Sequence, residues 1–184
     1  EKILYQKNAL LMQDDAHGFG IFNPMIPKHS IYMATLGKAA GVMGAFVAGD
    51  EDLIEFLIQK SRPYTYTTAI PPSFCNAILT SLKLIDNGEQ KEKLLTNISY
   101  FKSIASQLGL QFGISNSAIQ PLVIGSSSAA LKLSNQLFEE GFFVSAIRPP
   151  TVPPNTARLR FTLSANHTSQ QINKLLEKVK NVMA

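Results

Sequence analysis

The apolar pattern of the chain changes period at Asp50, and this change constrains the fold more than any other feature. Before it, residues 8–13 (NALLMQ), 30–35 (SIYMAT) and 42–48 (VMGAFVA) form short, continuous apolar runs. Continuous rather than alternating apolar character predicts strands covered on both faces. After it, Leu53, Ile54, Leu57 and Ile58 share one helical face, with Asp50 placed as an N-cap. Pro63 predicts the end of that helix, and residues 64–68 read as a β-prone polar-aromatic segment. Pro71-Pro72 then opens a second helix carrying Ile78, Leu79, Leu82 and Ile85, which stops at Asn87-Gly88. A third follows with Leu94, Leu95, Ile98, Phe101, Ala105 and Leu108 inward.

The last third alternates. Strands are expected over 119–124, 142–148 and 157–163, a helix over 127–140, and a proline-rich loop over 149–155. Residues 168–171 (TSQQ) form a capping box for a final helix that turns Ile172, Leu175, Leu176 and Val179 inward. The result is an α/β chain with its best domain boundary at Asn87-Gly88, dividing residues 1–88 from 89–184.

Composition narrows the function classes. The 184 residues carry 17 Lys plus Arg against 13 Asp plus Glu, a formal charge of +4 without basic clusters. Binding along a phosphate backbone needs such clusters, so nucleic acid is not an expected partner. Charged residues are only 16% of the chain, against about 25% in an ordinary soluble domain. The shortfall predicts surface hidden against a partner subunit or a further portion of chain. Glu1 at the first position, with a strand expected soon after, adds the expectation that the start is cut from something longer. A single cysteine, Cys75, rules out a disulfide framework and a multi-cysteine zinc site, and points to a reducing, cytoplasmic setting. Residues 31–49, the most apolar stretch, are broken by Lys38 and four glycines, so no membrane span is expected.

Three stretches could carry chemistry. In residues 14–20 (DDAHGFG) a carboxylate and an imidazole stand three positions apart just past an apolar run, where α/β sheets place ligands. His17 could exchange a proton or donate to an anionic oxygen. A capping aspartate beside a turn histidine explains the same spacing. Asp-x-x-His supplies two metal ligands and no third follows nearby, so no metal is expected. Gly18-Phe19-Gly20 lacks the third glycine of a dinucleotide fingerprint.

In residues 35–44 (TLGKAAGVMG) the Gly37-Lys38 pair invites a phosphate-loop reading, which fails because Tyr32 stands at the first glycine position and Ala39 replaces the magnesium-binding hydroxyl. What remains is a lone lysine amid small and apolar residues. Desolvation there would favour the neutral, nucleophilic amine, whereas most lysines are simply solvated. In residues 145–154 (SAIRPPTVPP) Arg148 precedes a loop stiffened by four prolines, a fit clamp for a carboxylate. A polyproline ligand or an ordinary strand-end arginine are the competing readings.

Taken in order, these motifs, together with residues 66–72 (YTTAIPP), 117–125 (SAIQPLVIG) and 146–168 (AIRPPTVPPNTARLRFTLSANHT), resemble the α-oxoamine synthases over nearly the whole chain. The resemblance implies a pyridoxal-phosphate (PLP) enzyme of fold type I, the aspartate-aminotransferase-like fold. Residues 1–88 would be the C-terminal part of the large cofactor-binding domain, and 89–184 the small α+β domain. It implies that Lys38 bonds to the cofactor aldehyde, Asp14 pairs with the ring nitrogen, His17 donates to the ring oxygen and Thr35 meets the phosphate. Thr67 or Thr68 would reach the phosphate of the neighbouring subunit in a homodimer, Arg148 would hold the amino-acid carboxylate, and Thr151 would lie in the substrate site.

The Arg-Pro-Pro-Thr-Val-Pro segment favours, within the family, the members that condense L-alanine with a pimeloyl thioester in biotin biosynthesis. Sister enzymes that use glycine or serine, and a non-catalytic partner subunit, are the alternatives. One departure stands out. The stretch from His17 to Lys38 is several residues shorter than the family pattern, with residues 23–30 in place of a longer glycine-containing loop.

Overall fold

The computed structural model describes Gln6, Lys7 and residues 9–183. Two compact units emerge, residues 1–89 and 90–184.

The first unit is built on a three-stranded sheet of order β1-β2-β3, formed by Met12–Asp14, Ile31–Thr35 and Ala45–Ala48. β1 runs parallel to β2 with Asp14 opposite Met33, and β2 runs antiparallel to β3 with Thr35 opposite Ala45. Tyr32 and Ala34 alternate inward from β2, and Leu36 and Ala40 continue that core beyond the strand. Helices α1 (Glu51–Lys60), α2 (Arg62–Thr65) and α3 (Ser73–Asn87) follow. Gly88 ends α3 in the left-handed region at φ 77°, its N–H donating to the Ile85 carbonyl, which is the stop expected at Asn87-Gly88.

Four expectations change here. The first run begins at Asn8, outside the described residues, and its strand is only Met12–Asp14. The third run is not a strand covered on both faces. Gly44, at φ 132°, turns the chain back, so that β3 is a short antiparallel edge with Val47 exposed. Asp50 flanks α1 but does not cap it, because its carboxylate is bound to the His29 ring at 2.7 Å. Residues 64–68 form no strand. Pro63 sits in the first turn of α2, where its missing N–H costs nothing.

The second unit begins on α4 (Glu89–Gln107). Its sheet has the order β4-β6-β5, all antiparallel, from Ile119–Gly125, Ala157–Thr162 and Ser145–Ile147. Helix α5 (Ser127–Glu139) lies between β4 and β5 in sequence, and α6 (Ser169–Met183) ends the chain. Phe101, Phe112 and Phe161 form a ring cluster with centroids 4.9–6.0 Å apart. Leu122, Leu137, Leu159, Ile172, Leu176 and Val179 complete a core of nearly full burial.

The capping box forms in both directions. Thr168 N–H donates to Gln171 Oε1 at 2.9 Å and Gln171 N–H to Thr168 Oγ1 at 3.2 Å. His167 fixes the turn before it, its Nδ1 accepting from Ser164 N–H. β5 is shorter than the expected 142–148, since the Val144 carbonyl is taken by the Ser134 hydroxyl at 2.6 Å rather than by a sheet partner.

Candidate active site

Strands β1 and β2 are parallel neighbours, so their C-terminal ends emerge side by side, each leading into a turn that bears chemistry. Such strand ends are where open α/β sheets place ligands. Asp14 closes β1, and one carboxylate oxygen accepts from Ala16 N–H at 3.0 Å. The next residues wind into a turn in which Gly18 and Phe19 both donate to the Asp15 carbonyl, and His17 points outward. Among the described residues the His17 ring takes no partner.

Thr35 closes β2, and the turn beyond it carries Lys38, whose Nζ donates to Thr35 Oγ1 at 3.2 Å. The Lys38 side chain is exposed rather than desolvated by the small residues around it, because Gly37, Lys38 and Ala39 form the outer arc of the turn. Helix α3 steadies both turns. The Ser81 hydroxyl donates to the Ala40 carbonyl at 2.6 Å, and a side chain at Gly20 would lie 3.1 Å from Ile85 and 3.3 Å from Ala39.

The first unit thus brings Asp14, His17, Thr35 and Lys38 out at one end of one sheet. Thr67 and Thr68 lie on the exposed link between α2 and α3 of the same unit, and neither hydroxyl has a partner among the described residues. Arg148 and Thr151 belong to the second unit. Register pairs Ile147 with Arg158, so Arg148 is the first residue past β5, exposed, with its carbonyl accepting from Thr151 N–H at 3.0 Å. The proline loop is held at its far side, where Thr156 donates to the Pro153 carbonyl and receives Arg158 at both its carbonyl and its hydroxyl. The loop is largely exposed, but these bonds tie its far end to the start of β6.

Sequence reasoning missed one pair in the site. Tyr32, nearly buried in β2, donates to Asp15 Oδ2 at 2.7 Å. Burial first, then this hydrogen bond and the Asp15 charge, push the Tyr32 phenol up to about 12. The only signal was the doubled aspartate at 14–15, whose successive side chains must leave a strand end in different directions. Among the described residues no three His, Cys, Asp or Glu side chains converge as a metal set.

The donor set can be matched against PLP. An amine suits its aldehyde, a carboxylate its protonated ring nitrogen, an imidazole its ring oxygen and a hydroxyl its phosphate, and all four groups leave one sheet end. A sheet end with these four donors suits a PLP-binding protein of fold type I. The chain belongs to the aminotransferase class I and II family, whose model matches residues 1–179.

Among its relatives, 8-amino-7-oxononanoate synthase of Hydrogenovibrio crunogenus is 50% identical over 181 residues, covering 92% of this chain and 46% of that protein. The solved structure of 8-amino-7-oxononanoate synthase from Francisella tularensis superposes with a TM-score of 0.79 at 33% identity, over 94% of this chain and 54% of that one. A serine palmitoyltransferase from S. paucimobilis, solved with PLP and myriocin bound, matches with a TM-score of 0.86 at 25% identity, over 98% and 48%. The chain therefore spans about half the length of the curated relatives it matches.

Proposed function

We propose that the intact protein condenses L-alanine with a pimeloyl thioester, releasing 8-amino-7-oxononanoate, carbon dioxide and the free thiol in biotin biosynthesis. The observation that carries this reading is the parallel pairing of β1 and β2, which brings Asp14, His17, Thr35 and Lys38 out at one end of the sheet. The alanine and pimeloyl assignment is supported by the similarity at 50% identity to a synthase of that product. When bound, PLP supplies an electron sink that stabilises negative charge at the amino-acid Cα.

The residues of this chain then have distinct tasks. Lys38 would hold the cofactor through its Nζ and, as a free amine, would take the Cα proton and return one. Asp14 keeps a proton on the ring nitrogen, since a carboxylate favours the positive form of its partner. His17 donates a hydrogen bond to the ring oxygen. Thr35 offers its hydroxyl to the phosphate, and Thr67 or Thr68 does the same across a homodimer. Arg148 presents a two-pronged guanidinium to the alanine carboxylate, which orients it until it departs, with Thr151 beside it.

In this reading residues 1–88 end the large cofactor-binding domain and residues 89–184 form the small domain. A cytoplasmic setting agrees with the lone Cys75, and no described helix is long and apolar enough to cross a membrane. Product analysis of the intact protein supplied with pimeloyl thioester and alanine, glycine or serine tests the proposal. Alanine is expected to give the condensation product. A preference for glycine or serine would move the protein to a sister activity.

A further inference from the structure

The turn that carries His17 is pinned on either side of that residue. Before it, Asp15 is tied to β2 by the 2.7 Å hydrogen bond from Tyr32 and by its own N–H to the Met33 carbonyl at 2.8 Å. After it, Phe19 packs edge-on against Phe46 of β3 with ring centroids 5.4 Å apart, and Phe46 in turn lies 5.9 Å from Tyr32. Gly18 is buried directly against the Asp15 carboxylate, which fills the space any Cβ there would need. One tyrosine thus joins both anchors; His17 lies between them with no side-chain partner among the described residues, and Asp14 ends β1 just before them, its carboxylate accepting from Ala16 N–H within the same turn.

We propose that Asp15 is a positioning residue, whose carboxylate, held by the Tyr32 hydroxyl, sets the turn so that Asp14 and His17 face the cofactor. This rests on the PLP reading given above. Asp15 itself touches no reacting atom. It acts through the backbone of residues 14–17, and Tyr32 remains a donor across the working pH range because its phenol ionises only near 12. Preorganisation of this kind is what a supporting layer of hydrogen bonds gives the groups that meet a ligand.

The test uses the intact protein with Asp15→Ala, Asp15→Asn and Tyr32→Phe. Two readouts are taken besides turnover: the dissociation constant for PLP added to cofactor-free protein, and the pH midpoint of the visible band of Lys38-bound PLP. Asp15→Ala and Tyr32→Phe should weaken PLP binding by about tenfold, the lower end of what loss of a supporting hydrogen-bond partner costs at metal sites, and should shift the band midpoint. Asp15→Asn, which still accepts from Tyr32, should recover most of both. If all three variants match wild type in affinity and midpoint, even while unfolding at a lower temperature, the pair is merely structural and the proposal is overturned. A wild-type protein that binds no PLP overturns the functional reading itself, and this proposal with it.

Discussion

Tyr32 ties stability to pH. Its phenol is raised from 10.0 to about 12 in the folded chain. Below pH 10 both folded and unfolded chains keep the proton, so the Tyr32 contribution is fully present. Between about 10 and 12 only the unfolded chain has released it, so the unfolded state binds fewer protons and stability falls as pH rises. Thermal unfolding followed across that window should show a decline that Tyr32→Phe makes shallower. An equal decline in the variant would assign the loss to other groups. Single residues were unevenly legible in the sequence. Asp14, His17, Lys38 and Arg148 stood out because few residue types can do their chemistry and because each follows an apolar run. The Asp15–Tyr32 bond did not, since spacing along a chain says nothing of which side chains meet 17 positions apart. The exposure of Lys38 was left open by the sequence, since small neighbours along the chain do not say whether a side chain lies outside or inside a turn.

Among the elements, helices were read more accurately than strands. Helix α6 shows why: its capping box and its inward Ile172, Leu176 and Val179 are local features of period 3.6, and all are present. The segment 64–68 shows the opposite. Tyrosine and threonine favour strands only where a sheet neighbour offers a pleated surface, and here residues 64 and 65 end a short helix while 66–68 leave it in a turn. Pairing direction was likewise out of reach, because an apolar run looks alike in a parallel β2 and an antiparallel β3. A cap that the sequence reading passed over is Ser126, whose hydroxyl accepts from Ala129 N–H at 3.2 Å at the start of α5. Ser126→Ala should cost about 1 kcal/mol, read as a lower denaturant midpoint with an unchanged slope. No shift would mean that water replaces the cap.

At the scale of the molecule, the low charge has a structural counterpart. The second unit closes a core around Phe101, Leu159, Phe161 and Leu176, whereas α1 and α3 of the first unit bury no residue, and Phe56, Tyr66, Leu79 and Leu84 are exposed. Apolar surface on that scale marks a face made to be covered, in keeping with relatives about twice as long. Everything proposed depends on Lys38 being the residue that takes PLP. Borohydride reduction of the purified intact protein, followed by peptide mass mapping, examines that directly. A pyridoxyl-phosphate modification is expected on the peptide containing Lys38 and is lost in Lys38→Ala; a modification on a different lysine, or none, would show that Lys38 does not take PLP.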